Sequence, residues 1–302
     1  MRTVEARKVC KRLHAYLRLA SERTRVHSVF PHTLNIVSSF GLFTFLQGNT
    51  DLRPFSCILD TMPSFDELKC KVGDEVLLTG ERIELPQSDF AVGYQNVQAV
   101  DLSVEAMLHL YLPLDFAFRL RFVKKILQER SQTEDLTALA LDGMPDNPYT
   151  ALLRPKLTQL RLSLVESSIE DAAATAGAMS GCGMGLTPAS DDFLCGYMSA
   201  YAVLSKVIDR KRERVLYLTR AMSAEAAKHT NEISSAFLLQ SGEGLMVESV
   251  FELLLALFSD APYTAITVNA NRVVKLGATS GLDMLTGLYL GIRHNLGGIE
   301  YD

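Results

Sequence analysis

The feature that most constrains the fold is a change of rhythm between residues 104 and 112. Before it, apolar residues fall in short runs at 34–37, 42–46, 55–59, 76–78, 83–85 and 99–102. Turn residues separate these runs at hairpin intervals, at Ser38-Ser39-Phe40-Gly41, Gln47-Gly48-Asn49, Arg53-Pro54 and Thr79-Gly80-Glu81. Beyond the change, apolar residues recur every three or four positions, which predicts helices over 116–129, 152–179 with one break, 191–207, 211–229, 232–240, 245–258, 265–275 and 283–294. The expected fold class is α+β: an N-terminal antiparallel β-sheet or small barrel followed by a larger, mainly α-helical region. The expected domains are 1–112 and 113–302. Gly143-Met144-Pro145-Asp146-Asn147-Pro148 reads as the clearest linker, whether between domains or as a surface loop. No βαβ rhythm appears and no GxGxxG opens a helix after a strand, which disfavours a dinucleotide-binding domain.

Ahead of the strand-like runs, Ala6, Val9, Cys10, Leu13, Leu17 and Ala20 are spaced three and four apart, which predicts an amphipathic helix over 3–20. Its other face is basic, because residues 1–30 hold eight Arg or Lys against Glu5 and Glu22. That face is either simply solvated or a docking surface for an acidic partner. The whole chain carries a net charge of −5, which argues against a nucleic-acid partner. Five cysteines, an odd number without a CxxC pair, point to reduced thiols and a cytoplasmic protein. The basic N-terminus is not followed by an apolar signal stretch, and the longest apolar run, 253–258, is far below the ~18 residues of a membrane span, so no membrane partner is expected.

The chemistry concentrates in Gly181-Cys182-Gly183-Met184-Gly185-Leu186-Thr187-Pro188-Ala189-Ser190-Asp191-Asp192. Glycines at alternate positions let a backbone approach a ligand, and a helix is expected to start directly afterwards, with Thr187 as N-cap and Pro188 at the first helical position. Asp191 and Asp192 then complement the positive helix end. Free N–H groups at such a start attract phosphate or carboxylate. The two aspartates would repel that anion unless Mg²⁺ or an amine lies between, or unless they turn aside to cap backbone amides. A Walker A loop is excluded because its Lys is missing. The spacing of Gly185, Thr187 and Asp191 recurs in Gly277, Thr279 and Asp283, a pseudo-repeat whose two helix starts could face one another across a shared ligand. Gly287 and Gly291, four apart, read as close-packing positions. A third polar helix start stands at Thr230-Asn231-Glu232-Ile233-Ser234-Ser235. The histidines show no metal-ligand spacing, and Cys182 and Cys195 read as packing residues.

The pairing of GxGxGLTPxxDDxLxG at 181–196 with LGxTSGxDxLxG at 276–287 resembles the family of the AllH-type subunit of oxamate carbamoyltransferase. Leu34-Asn35-Ile36 and the 230–238 segment are similar too, so the resemblance spans most of the chain. It implies transfer of a carbamoyl group between oxalurate and phosphate, giving oxamate and carbamoyl phosphate, in the breakdown of allantoin nitrogen. It also implies a complex of three different subunits, active only when assembled. Ala189 stands where relatives often have Ser, and Ala278 where a relative has His, so a hydroxyl or imidazole role at those positions does not carry over.

Under that resemblance the candidate catalytic residues are Asp191 and Asp192, which would orient or deprotonate the attacking amide or hold Mg²⁺. The candidate substrate-binding residues are Gly183, Gly185, Thr187, Ser190, Asn231, Ser234, Thr279, Ser280, Gly281 and Asp283, facing carbamoyl phosphate and oxamate. Two other readings remain open at this stage. One is a non-catalytic anion-binding or scaffold subunit, and the other a stand-alone Mg²⁺-dependent enzyme acting on a small acid or phosphorylated metabolite.

Overall fold

A computed structural model describes residues 1–59, 64–208 and 212–296, and the chain divides into two compact units, Met1–Leu102 and Ser103–Asp302. The first unit runs β1 (Arg2–Cys10), α1 (Lys11–Leu17), β2 (Glu22–Phe30), β3 (Thr33–Ser38), β4 (Gly41–Gln47), β5 (Ser56–Leu59), β6 (Glu75–Leu78), β7 (Arg82–Leu85), β8 (Phe90–Gly93) and β9 (Gln98–Val100). Their order in the sheet is β5-β4-β3-β2-β6-β7-β8-β1, and β1 also pairs with β5, which closes eight strands into a barrel. β9 extends the pairing of β1 beyond β8. Closure removes the exposed edges that an open sheet would present. Alternate residues Leu34 and Ile36, Phe43 and Phe45, and Ile83 and Leu85 point into the barrel core, and α1 adds Leu13 and Leu17.

Two expectations are corrected here. The helix predicted over 3–20 is a strand followed by the short α1. The strand buries Val4 and Ala6 and then Val9, because its pairing with β5 slips by one residue between Ala6 and Lys8. A slip of this kind adds one residue to a period of two, so the buried positions imitate the spacing of a helix. The sheet is also mixed, since β1 runs parallel to β8 and β9, and β4 parallel to β5. β1 continues through α1 to β2, which is not its neighbour in the sheet, so no hairpin fixes its direction, and β4 reaches β5 through residues 48–55 rather than a tight turn.

The second unit is helical: α2 (Phe116–Arg130), α3 (Pro148–Glu166), α4 (Ile169–Met179), α5 (Ala189–Val207), α6 (Arg212–Ala226), α7 (Glu232–Gly242), α8 (Glu248–Leu257), α9 (Tyr263–Val274) and α10 (Ser280–Asn295). Lys211, the expected first residue of the 211–229 helix, lies outside the described residues. The single break expected within 152–179 falls at Ser167, whose φ of 59° ends α3 in the left-handed region. The segment 143–148 lies inside this unit and caps α3: Asn147 accepts from the amides of Tyr149 and Thr150, and Pro148 opens the helix.

α5 is the axis of the unit, for Ala189–Ser205 is buried throughout. α10 lies beside it in the same direction, with Gly287 against Phe193 and Gly291 against Tyr197. A Cβ on Gly287 would sit 1.9 Å from the Phe193 carbonyl oxygen, and one on Gly196 would sit 1.9 Å from that of Met284, so glycine permits the backbone approach. Parallel packing brings the N-termini of α5 and α10 to the same end of the unit. Among the described residues, no helix is long and apolar enough to cross a membrane.

Candidate functional site

The loop 181–188 joins α4 to α5 and turns through glycines. Gly183 has a φ of 125°, and a Cβ there would meet the Ala189 amide nitrogen at 2.5 Å, so only glycine makes this turn. Gly185, with a φ of 101°, has open space where its side chain would be. α5 begins one residue later than the sequence predicts. Pro188 occupies the N-cap position with ψ at 143°, and Thr187 is not the cap. No side chain caps α5; instead Ser190, in its first turn, ties down the loop: Ser190 Oγ accepts from the Cys182 amide at 2.9 Å, and the Ser190 amide donates to the Cys182 carbonyl at 3.0 Å.

Thr187 is thereby left to reach across to the second motif. Its Oγ1 lies 3.0 Å from the Oγ of Ser280, the first residue of α10. The two helix starts of the pseudo-repeat therefore stand side by side. Thr279 takes the N-cap position of α10, its carbonyl accepting from the Leu282 and Asp283 amides. Gly281 is buried against Val273, where a Cβ would come 2.0 Å from the carbonyl oxygen, so it serves packing.

Asp191 ties the loop together from behind. It is 1% exposed, and both oxygens are committed to the protein. Oδ1 accepts from Ser180 Oγ and the Gly181 amide, each at 2.8 Å, with Ser190 Oγ at 3.4 Å. Oδ2 accepts from Thr230 Oγ1 at 2.5 Å and Ser234 Oγ at 2.7 Å. Asn231 completes the third motif: its Oδ1 caps α7 through the Ile233 and Ser234 amides, and its Nδ2 donates to the Leu186 carbonyl at 2.9 Å. One carboxylate and one amide thus clamp the glycine loop to α7, and hydrogen bonds to a charged acceptor are the strong kind.

Asp283 holds the matching place in the repeat and is entirely buried. Oδ1 accepts from the Leu136 amide at 2.8 Å, while Oδ2 has no hydrogen-bond partner. Burial, assisted by the charges of Asp192 and Asp135, pushes its carboxyl up to about 8, so it keeps its proton at neutral pH. Asp192, in the first turn of α5, is buried as well. Among the described residues no three His, Cys, Asp or Glu side chains gather as metal ligands. Burial raises the thiols of Cys182 and Cys195 away from the nucleophilic form.

The structure therefore joins Gly183, Gly185, Thr187, Ser190, Asp191, Asn231, Ser234 and Ser280 in one connected cluster, and places Gly281 and Asp283 beneath it in the packed interior. Sequence reasoning missed Ser180 and Gly181 as partners of Asp191, and Leu136 as the partner of Asp283. Ser180 stands directly before the glycine run, which was the available signal. Nothing local to residue 136 announces a contact 147 residues away.

A barrel unit followed by a helical unit whose paired helix starts meet at a glycine loop defines a two-part α+β protein with a connected polar cluster at that loop. Models of two families match the chain: the AllH family N-terminal domain over residues 5–99, and oxamate carbamoyltransferase subunit AllH over residues 179–292. Together they cover most of the chain, which belongs to the family of oxamate carbamoyltransferase subunit AllH. The first match falls within the barrel unit, and the second contains all three polar motifs. No solved structure matches the chain.

Proposed function

We propose that this chain is a subunit of a cytoplasmic carbamoyltransferase acting on oxamate and carbamoyl phosphate, or in reverse on oxalurate and phosphate, in the breakdown of allantoin nitrogen. The observation that supports the reading is the Thr187–Ser280 contact, which brings two hydroxyls and the starts of two parallel helices together beside the glycine loop. In the forward direction the amide nitrogen of oxamate attacks the carbamoyl carbon. The bond from that carbon to the phosphate oxygen breaks, phosphate leaves with the electron pair, and the nitrogen gives up a proton. The site then needs donors for an oxyanion and for phosphate, fixed before the reaction begins. In this reading Thr187, Ser280 and the backbone amides of the glycine loop supply them.

The roles expected of the two aspartates divide in this reading. Asp191 is a positioning residue, since its five donors leave it no oxygen for a substrate. Asp192 is assigned the amide proton. Ser190, Asn231 and Ser234 hold the loop through Cys182, Leu186 and Asp191. A Mg²⁺ shared by Asp191 and Asp192 fits the geometry less well, because Asp191 is already committed. The family description calls AllH a subunit, and in this reading its partners complete the site, in keeping with activity only in the assembled enzyme.

The test incubates the purified chain, alone and with its co-purifying partners, with oxamate and carbamoyl phosphate, with and without Mg²⁺. Phosphate release above the spontaneous rate, dependent on oxamate and seen only in the assembled mixture, is the expected result. No release in any mixture would contradict the reading and move the site to a different acid substrate.

A further inference from the structure

The second unit contains a cleft away from the glycine loop. It has a volume of about 410 Å³ and is lined by Leu164, Val165 and Ile169 around the junction of α3 and α4, by Tyr201 of α5 and by Leu218 of α6. Arg214 is the charged residue of the lining. A smaller hollow adjoins it across Leu164 and Val165 and is lined by Arg161, Tyr197 and His294. Tyr201 lies ten residues along α5 from Asp191, about 15 Å at the rise of an α-helix.

Three features set this cleft apart from an ordinary surface groove. Its volume is that of a small-molecule pocket, and its walls are largely aliphatic around a few polar groups. Its charged groups have one sign: Arg214 donates to the Ser167 carbonyl at 3.3 Å, and neither Arg214 nor Arg161 is held in an ion pair among the described residues. A guanidinium carries five N–H donors, so the Ser167 contact leaves most of Arg214 available to an acid group. Burial and the cations of Arg161 and Arg293 push the His294 imidazole down to about 4, so it stays neutral and accepts or donates only one proton, beside the Tyr197 hydroxyl at 3.2 Å.

We infer that this cleft is a second ligand site, separate from the glycine-loop cluster, which binds a small organic acid with an apolar body, the acid paired with Arg214 and the body lying on Leu164, Val165 and Leu218. A compact dicarbonyl acid such as the proposed substrate would leave those aliphatic walls unfilled, so the occupant is a different molecule from the one the loop holds.

The experiment titrates the full chain with 8-anilinonaphthalene-1-sulfonate, a sulfonate on an aromatic body, and follows its fluorescence. N-phenyl-1-naphthylamine, the same body without the acid, serves as the comparison. Saturable binding at one site per chain is expected, with the uncharged dye at least tenfold weaker. Arg214→Gln is expected to weaken the sulfonate tenfold or more. Val165→Trp, at a rim position 72% exposed and therefore tolerant of size, is expected to abolish binding by filling the cleft while leaving the melting temperature unchanged. Thr187→Val with Ser280→Ala should leave dye affinity intact, so the failure of one site is distinguishable from the failure of the other. Equal binding of the two dyes, or binding indifferent to both cleft variants, would overturn the inference. So would loss of the dye on assembly with the partner subunits, which would show that protein, not a small acid, occupies the cleft.

Discussion

The starts of α5 and α10 share one spacing of Gly, Thr and Asp and lie side by side, yet their aspartates are opposites. Asp191 meets five donors from three stretches of chain, 180–181, 190 and 230–234, whereas Asp283 is deeply buried with only the Leu136 amide and the Thr279 side chain to favour its charge, against the charges of two other carboxylates. The same side chain at the same repeat position is therefore an organising anion in one copy and a neutral acid in the other. The comparison teaches that the environment assembled by the rest of the chain, and not the motif, decides what an aspartate does. It also explains why the exposed loop sits on the α5 copy: only there does a carboxylate bind segments that would otherwise separate.

The largest effect should come from breaking the organising copy. Asp191→Ala leaves the Thr230, Ser234 and Ser180 hydroxyls and the Gly181 amide without their acceptor, and a loss of about 3–5 kcal/mol is expected in denaturant unfolding. Next comes the seam between the copies. Gly287→Ala drives a methyl against the Phe193 carbonyl and should cost about 3 kcal/mol, at the upper end for overpacking, while Gly185→Ala, with open space but a positive φ, should cost about 1 kcal/mol.

The neutral copy is sharpened by pH. Asp283 folded binds its proton up to about 8, while the unfolded group releases it near 3.8, so between these values the native state holds more protons. Its contribution is fully present below about pH 4 and is lost as pH rises through about 8, with a slope approaching 1.4 kcal/mol per pH unit. Asp283→Asn mimics the neutral acid and removes that slope. The stability difference between wild type and variant, measured by denaturation at several pH values, should therefore shift in favour of the variant from pH 5 to pH 8. A difference independent of pH would show that Asp283 is ionised in the native protein. The smallest structural effect belongs to the half-buried hydroxyl pair: Ser280→Ala should change stability by about 1 kcal/mol or less.

Much of this arrangement was legible in the sequence. The helices and the middle strands follow from periodicity and turn residues, and the glycine loop, the three polar helix starts and the close-packing role of Gly287 could be read from local chemistry. What escaped was decided at a distance. β1 reads as a helix because a one-residue slip against β5 disguises its alternation, and only the pairing partner reveals it. The loss of Thr187 as a cap was hidden as well: it is a sound cap by type, but its hydroxyl meets Ser280, 93 residues away, and no side chain caps α5. The charge state of Asp283 depends on burial beneath α5 and on Asp192 and Asp135, which no window around residue 283 contains.

The central claim is that the hydroxyls joined across the two helix starts hold the reacting groups. Its most direct test is oxamate-dependent phosphate release from carbamoyl phosphate by the assembled complex containing Thr187→Val with Ser280→Ala, beside the wild-type complex. The account predicts a fall of kcat/KM by about a hundredfold or more, with the complex assembled and its melting temperature nearly unchanged, as expected for removal of donors aimed at the reacting atoms. Wild-type kcat/KM in an intact double-variant complex would contradict it.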